Sequence, residues 1–222
     1  MLEGQKCLVI GSGISGIGAV ALLEKYHADV VLYDSSDKLT KEDLEAKLPG
    51  ESKAVCIAGE LPEEVELSIQ AAVLSPGVPT DIPLVNRMRD RGVQILGEIE
   101  LGFLAEQGRV IAITGTNGKT TTTTLTGEIM KAHFGEEKTF VVGNIGNPYT
   151  LEVTKTSKDS VTVGEISSFQ LETIPMTAAI RKYMAENPSH FDPRQYLAPA
   201  RAAIEGMVEH KILEVLGCAG KA

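Results

Sequence analysis

Val110-Ile111-Ala112-Ile113-Thr114-Gly115-Thr116-Asn117-Gly118-Lys119-Thr120-Thr121-Thr122-Thr123-Thr124 is the stretch that decides the fold. Its first residues form an apolar, β-branched run suited to a buried strand. The glycines then mark a tight turn, and the lysine and threonines open a helix that runs to about Ala132. A glycine loop at a helix N-terminus turns main-chain N–H groups toward an anion, and the helix dipole favours negative charge there. Lys119 adds a point charge, and the Thr120 hydroxyl is a hard oxygen of the kind Mg2+ takes. Gly115, Thr116, Asn117, Gly118, Lys119, Thr120 and Thr121 are therefore the expected ATP-binding residues. The commoner loop carries a further glycine five positions before the second, where this chain has Ile113, so the loop is a variant. The plainer alternative is a Gly/Thr turn with an exposed lysine.

Upstream the same grammar appears once more. Residues 7–10 form an apolar run, Gly11-Ser12-Gly13-Ile14-Ser15-Gly16 follows, and residues 19–26 read as a helix. Glycines there let the backbone approach a diphosphate. Asp34 closes a second apolar run over 30–33, where it is placed to hydrogen-bond a ribose or a base. Nicotinamide, flavin and nucleotide-sugar proteins all use such a loop, and a purely structural turn is also open. Short strands over 54–57 and 71–74, the latter stopping at Ser75-Pro76-Gly77, alternate with helical stretches over 41–47 and 84–91. That alternation indicates a parallel sheet covered by helices.

Downstream, strands are expected over 139–142 and 160–163. The first leads to Gly143-Asn144-Ile145-Gly146 and the second to Glu165. A carboxylate at the carboxyl end of a parallel strand faces the ligand crevice, which makes Glu165 a candidate for a second Mg2+. An ordinary strand-end carboxylate beside a serine helix cap is the alternative. Beyond residue 174 the pattern is helical, with Ile204, Met207, Val208, Ile212 and Val215 on one face, and no strand is expected there.

Composition narrows the partners. The 222 residues carry a formal net charge of −9, which argues against nucleic acid and against an anionic membrane surface, so a phosphate ligand needs a local site. No apolar run reaches bilayer length. Cys7, Cys56 and Cys218 show no metal spacing and read as free thiols in a reducing cytoplasm. Oligomeric state is not readable.

The segments GSGISG, YDSS, SPGVP, GEIELG, TGTNGKTT, GNIGNP and EISSFQLET, in that order, resemble the Mur ligase family over about residues 3–174, and SSFQLE favours its D-glutamate-adding branch. The resemblance implies an ATP- and Mg2+-dependent, cytoplasmic ligase of peptidoglycan precursor synthesis. It would activate the carboxylate of UDP-N-acetylmuramoyl-L-alanine as an acyl phosphate, which D-glutamate attacks. Carried over residue by residue, Ile14, Ser15, Asp34, Ser35, Ser75, Pro76 and Gly77 would contact the uridine diphosphate, and Asn144 and Ser168 the muramoyl-alanine end. Lys119 and Asn144 would be catalytic, with Thr120 and Glu165 binding Mg2+.

The expected architecture is α/β. It comprises a Rossmann-like parallel-sheet domain over 1–92, a truncated P-loop α/β domain over 93–174, and a helical tail over 175–222. The family's histidine metal ligand, carbamylated lysine and C-terminal domain have no counterpart in these residues; His190 and Lys182 sit in unlike sequence. Residues 176–222 instead resemble the C-terminal end of class II fructose-bisphosphate aldolases, in which the arginine matching Arg194 reaches substrate phosphate. The chain thus reads as a chimera joined near 174–176, whose second sheet would show an open edge unless the tail covers it. A non-catalytic UDP-sugar- and nucleotide-binding fragment of a rearranged gene is the alternative. A nicotinamide oxidoreductase would leave TGTNGKTT and EISSFQLE unexplained.

Overall fold

Runs such as Cys7-Leu8-Val9-Ile10 and Ala71-Ala72-Val73-Leu74 are buried along their whole length, as strands of a sheet covered on both faces must be. The computed structural model describes residues 2–145, 147–171, 173 and 212–214. They fall into two compact units, Met1–Ala105 with Pro148–Thr154, and Glu106–Asn147 with the residues from Lys155 onward.

The first unit holds five parallel strands, β1 (Lys6–Ile10), β2 (Asp29–Asp34), β3 (Val55–Ala58), β4 (Ala71–Leu74) and β5 (Gln94–Gly97), in the order β3-β2-β1-β4-β5. Helices α1 (Ile14–Lys25), α2 (Lys41–Glu45), α3 (Glu63–Ser68), α4 (Pro83–Asp90) and α5 (Glu98–Ala105) connect or follow them. This is the doubly wound order, with its switch point between β1 and β4. Two expectations are corrected here. β5 pairs with β4 through Ala71↔Gln94 to Leu74↔Gly97, so the unit runs to Ala105 and not to Gly92. Helix α1 begins at Ile14 rather than at residue 19, with Gly16 and Gly18 inside it.

The second unit contains β6 (Arg109–Ile113), α6 (Lys119–Phe134), β7 (Thr139–Gly143) and β8 (Val161–Glu165). A last strand, β9 (Ile212–Glu214), completes the order β7-β8-β6-β9, all parallel. Strand β9 is a correction: Ile212, expected on a helical face, pairs with Val110 at the edge of β6. Unpaired N–H and C=O groups along that edge would otherwise lack partners, which is why an extended segment wins over local helical periodicity. The other expectations for the tail, including Arg194, lie outside the described residues. Buried Glu106 seals the start of the unit: its carboxylate accepts the Gly108 N–H at 2.7 Å and the Thr162 hydroxyl at 2.8 Å.

A short helix, α7 (Tyr149–Glu152), was not expected from the sequence, and it packs within the first unit. It lies so close to α1 that a Cβ at Gly18 would stand 2.6 Å from Thr150 Oγ1. On its other side Glu98 accepts both the Thr150 N–H and hydroxyl, each at 2.8 Å. Helix α8 (Ser168–Leu171) follows β8 in the second unit.

Candidate functional site

In the second unit three chain segments leave the carboxyl ends of adjacent strands. From β6 comes the loop 114–118. Gly118 takes φ +76°, a left-handed turn that glycine adopts without strain, and caps the N-terminus of α6. Ile113, standing where the commoner loop has glycine, is the last residue of β6 and is buried in register with Glu165. Lys119 folds its ammonium back across the loop, donating to the Gly115 carbonyl at 2.8 Å. Thr116, Asn117, Thr120 and Thr121 are exposed around it.

From β8 comes Glu165, only 1% exposed. Its Oε1 accepts from Asn144 Nδ2 at 3.1 Å, and its Oε2 is buried with no hydrogen-bond partner. A buried anionic oxygen without a donor is costly unless a cation meets it, so this carboxylate fits Mg2+. From β7 comes Asn144, whose N–H donates to the Glu165 carbonyl at 2.9 Å. Ser168 begins α8, and its side chain is outside what is described.

In the first unit the loop leaving β1 meets the turn leaving β4. A Cβ on Gly16 would lie 1.9 Å from the Gly11 carbonyl oxygen, so only glycine lets the helix start this close to the strand end. Asp34 is drawn into the loop: Oδ2 accepts the Ser12 N–H at 2.9 Å and hydroxyl at 2.6 Å, and Oδ1 accepts the Ser36 N–H at 3.1 Å. Burial pushes the Asp34 carboxyl up, but the Ser12 and Ser36 donors, with Lys47 nearby, outweigh it and hold it below the usual range. Ser75 is buried and donates to the Gly11 carbonyl at 3.1 Å. Asp34 and Ser75 therefore brace the loop directly. A cleft of about 540 Å³ opens beside them, lined among others by Gly11, Asp34, Ser35, Gly77 and Arg87. Ile14 stands 72% exposed at the first turn of α1, while Ser15 is half-buried and Pro76 exposed. Cys7 offers no nucleophile, since burial and then Asp29 push its thiol up to about 11.

Sequence reasoning named most of these residues. It missed Lys47, whose ammonium reaches Ser12, and Glu98, which holds α7. Both act across tens of residues, and no local spacing marks them.

A switch-point cleft in one parallel sheet and a lysine-bearing glycine loop in a second define a two-unit α/β nucleotide-site architecture. Residues 5–97 match the Mur ligase MurD-like N-terminal domain and residues 113–185 the Mur ligase middle domain, so the chain is a member of the Mur ligase family over those residues. The UDP-N-acetylmuramoylalanine–D-glutamate ligase of Lachnospira eligens is 53% identical over 183 residues, covering 81% of this chain and 40% of the relative. That of Lachnoclostridium phytofermentans is 50% identical over 171 residues, covering 77% and 37%. That of Clostridioides difficile is 38% identical over 208 residues, 91% of this chain and 46% of its own length. The chain thus spans less than half the length of these relatives. Among the described residues no helix is long and apolar enough to cross a membrane.

Proposed function

We propose that this chain carries the substrate- and ATP-binding machinery of a cytoplasmic ligase of peptidoglycan precursor synthesis. Its substrates are ATP, UDP-N-acetylmuramoyl-L-alanine and D-glutamate. The observation that carries the reading is Glu165: a buried carboxylate oxygen without a partner, one strand away from the glycine loop. The names of the relatives support the substrates.

In this reading the N–H groups of Gly115 to Thr121 cradle the β- and γ-phosphates, and Lys119 exchanges the Gly115 carbonyl for them. Thr120 and Glu165 hold Mg2+, which when bound offsets charge on the phosphate oxygens. Ile14 and Ser15 at the first turn of α1, with Ser35, Pro76 and Gly77, receive the uridine diphosphate in a frame braced by Asp34 and Ser75. The family resemblance assigns Asn144 and Ser168 to the muramoyl-alanine end. The substrate carboxylate attacks the γ-phosphorus and ADP leaves; the amine of D-glutamate then attacks the carbonyl carbon of the acyl phosphate, the amide bond forms, and inorganic phosphate leaves as the amine gives up a proton.

Calorimetric titration of the chain with ATP in Mg2+, and separately with UDP-N-acetylmuramoyl-L-alanine, tests the binding roles, with phosphate release on adding D-glutamate as the test of turnover. Loss of ATP binding in Lys119→Ala is expected. Failure of the parent chain to bind either ligand overturns the reading. Binding of both without phosphate release assigns the chain binding alone.

For residues 176–222, the first ten of which also fall inside the middle-domain match that runs to residue 185, we propose descent from the end of a class II fructose-bisphosphate aldolase, supported by the stretch TAAIRKYMAENPSHFDPRQYLAPARAAIEGMVEHKI and the closing GCAGKA. Sequencing this gene's own locus tests it: a ligase frame that runs uninterrupted through and past this segment sinks the idea.

A further inference from the structure

The loop that meets the diphosphate in the reading above has no cation of its own between Gly11 and Gly16, and it carries the Asp34 carboxylate on its flank. In a chain of net charge −9, an anion placed there meets repulsion unless a positive group is brought in locally. One is. Lys47 Nζ donates to the Ser12 carbonyl at 3.3 Å and to the Ser12 hydroxyl oxygen at 3.0 Å. The Ser12 hydroxyl has a single proton, and that proton goes to Asp34 Oδ2 at 2.6 Å. The result is a directed chain, ammonium to hydroxyl to carboxylate, with each member's orientation set by the next.

The position of Lys47 is itself built. Helix α2 opens with a capping box in which Thr40 and Asp43 exchange hydrogen bonds. Leu44 is fully buried beneath it, and the Lys47 N–H donates to the Leu44 carbonyl at 3.1 Å. The segment is thus fixed at both ends before the lysine reaches across to the loop. Arg87, the cation that lines the cleft itself, is already engaged by Glu66 through Nε at 3.0 Å and Nη2 at 2.6 Å.

We propose that Lys47 is a positioning residue of the first glycine loop, whose ammonium holds Ser12 and offsets Asp34 so that the loop accepts the diphosphate of a uridine nucleotide. This rests on the nucleotide-sugar reading given above. The role concerns charge at the diphosphate, so it separates two ligands that share a base and sugar.

The full chain, its Lys47→Met variant and its Lys47→Arg variant are titrated with UDP by calorimetry and with uridine by ligand-observed NMR. The expected result is a loss of about tenfold in UDP affinity for Lys47→Met, the scale of one charge-assisted hydrogen bond. Uridine affinity is expected to stay within about twofold of the parent, and Lys47→Arg to keep most of the UDP affinity. Unchanged UDP affinity in Lys47→Met overturns the proposal, as does an equal fall for both ligands, which would mark a purely structural lysine. If the parent binds neither ligand, the nucleotide-sugar reading falls first and this role with it.

Discussion

Asn144 grips Glu165 twice: its side-chain Nδ2 donates to Oε1 at 3.1 Å, and its main-chain N–H donates to the Glu165 carbonyl at 2.9 Å. One carboxylate oxygen is thereby fixed and the other, Oε2, is left without a partner. Orientation of a metal-binding carboxylate by a neighbouring donor is worth about 10- to 100-fold in metal affinity elsewhere. We expect Asn144→Ala to weaken Mn2+ binding, followed by electron paramagnetic resonance in the presence of ATP, by about tenfold. An unaltered titration would separate Asn144 from the metal and leave it only the substrate contact.

Gly16 and Gly13 should respond unequally to the same change. A methyl at Gly16 meets the backbone oxygen of Gly11, which has no free rotation to escape, whereas nothing lies within 4 Å of a Cβ on Gly13. Gly13 also has φ −73°, which any residue adopts. Gly16→Ala should cost about 2 kcal/mol of stability and abolish UDP binding, while Gly13→Ala stays within about 0.5 kcal/mol. Thermal melts of the two variants decide the point, and equal melting temperatures would refute the close approach.

Glu100 makes stability fall as pH rises. It is buried, and burial pushes its carboxyl from an ordinary value of 4.5 up to about 8, although a Gly97 backbone donor opposes the shift. A group held above its unfolded pKa contributes its full stability below about pH 4.5 and loses it as pH climbs through 8. The loss between those limits is on the order of 3–5 kcal/mol at most. Glu100→Gln removes this titration, so its melting temperature relative to the parent should rise steadily from pH 5 to pH 9. A constant offset across that range would contradict it.

Glu98 is the anchor of α7. Truncating it strands the buried Thr150 N–H and leaves the hydroxyl only the Ser15 carbonyl at 3.5 Å, at roughly 1–3 kcal/mol for the unsatisfied group. In Glu98→Ala, hydrogen exchange at residues 148–154 should quicken well before exchange in β1 and β4 does. Uniform quickening across the first unit would mean that the contact is not local.

Strand–loop–helix units were legible because each is encoded within some twenty residues: a β-branched run, glycines at the turn, then a polar helix start. Gly118 and Lys119 follow from that grammar, and so does Glu165, because a parallel strand must end where its neighbours end. Family resemblance supplied the rest of the site residues. What escaped is what distance controls. Tyr149-Thr150-Leu151-Glu152 is too short to show helical periodicity, and its partner Glu98 lies 52 positions away. Lys47 looks like any surface lysine until the fold carries it to Ser12, 35 positions upstream. Ile212 belongs to a helical pattern by spacing, yet the open flank of β6 claims it as a strand.

The placement of α7 has a consequence for how the protein is born. Gly18 and Glu98 leave the ribosome well ahead of the seven residues, Pro148–Thr154, that belong to their unit. At bacterial speeds of roughly 5–20 residues per second, the nascent first sheet spends roughly 3–10 seconds with that groove still empty. It closes only after β6, α6 and β7 have been made, so translation into the second unit is a condition for completing the first.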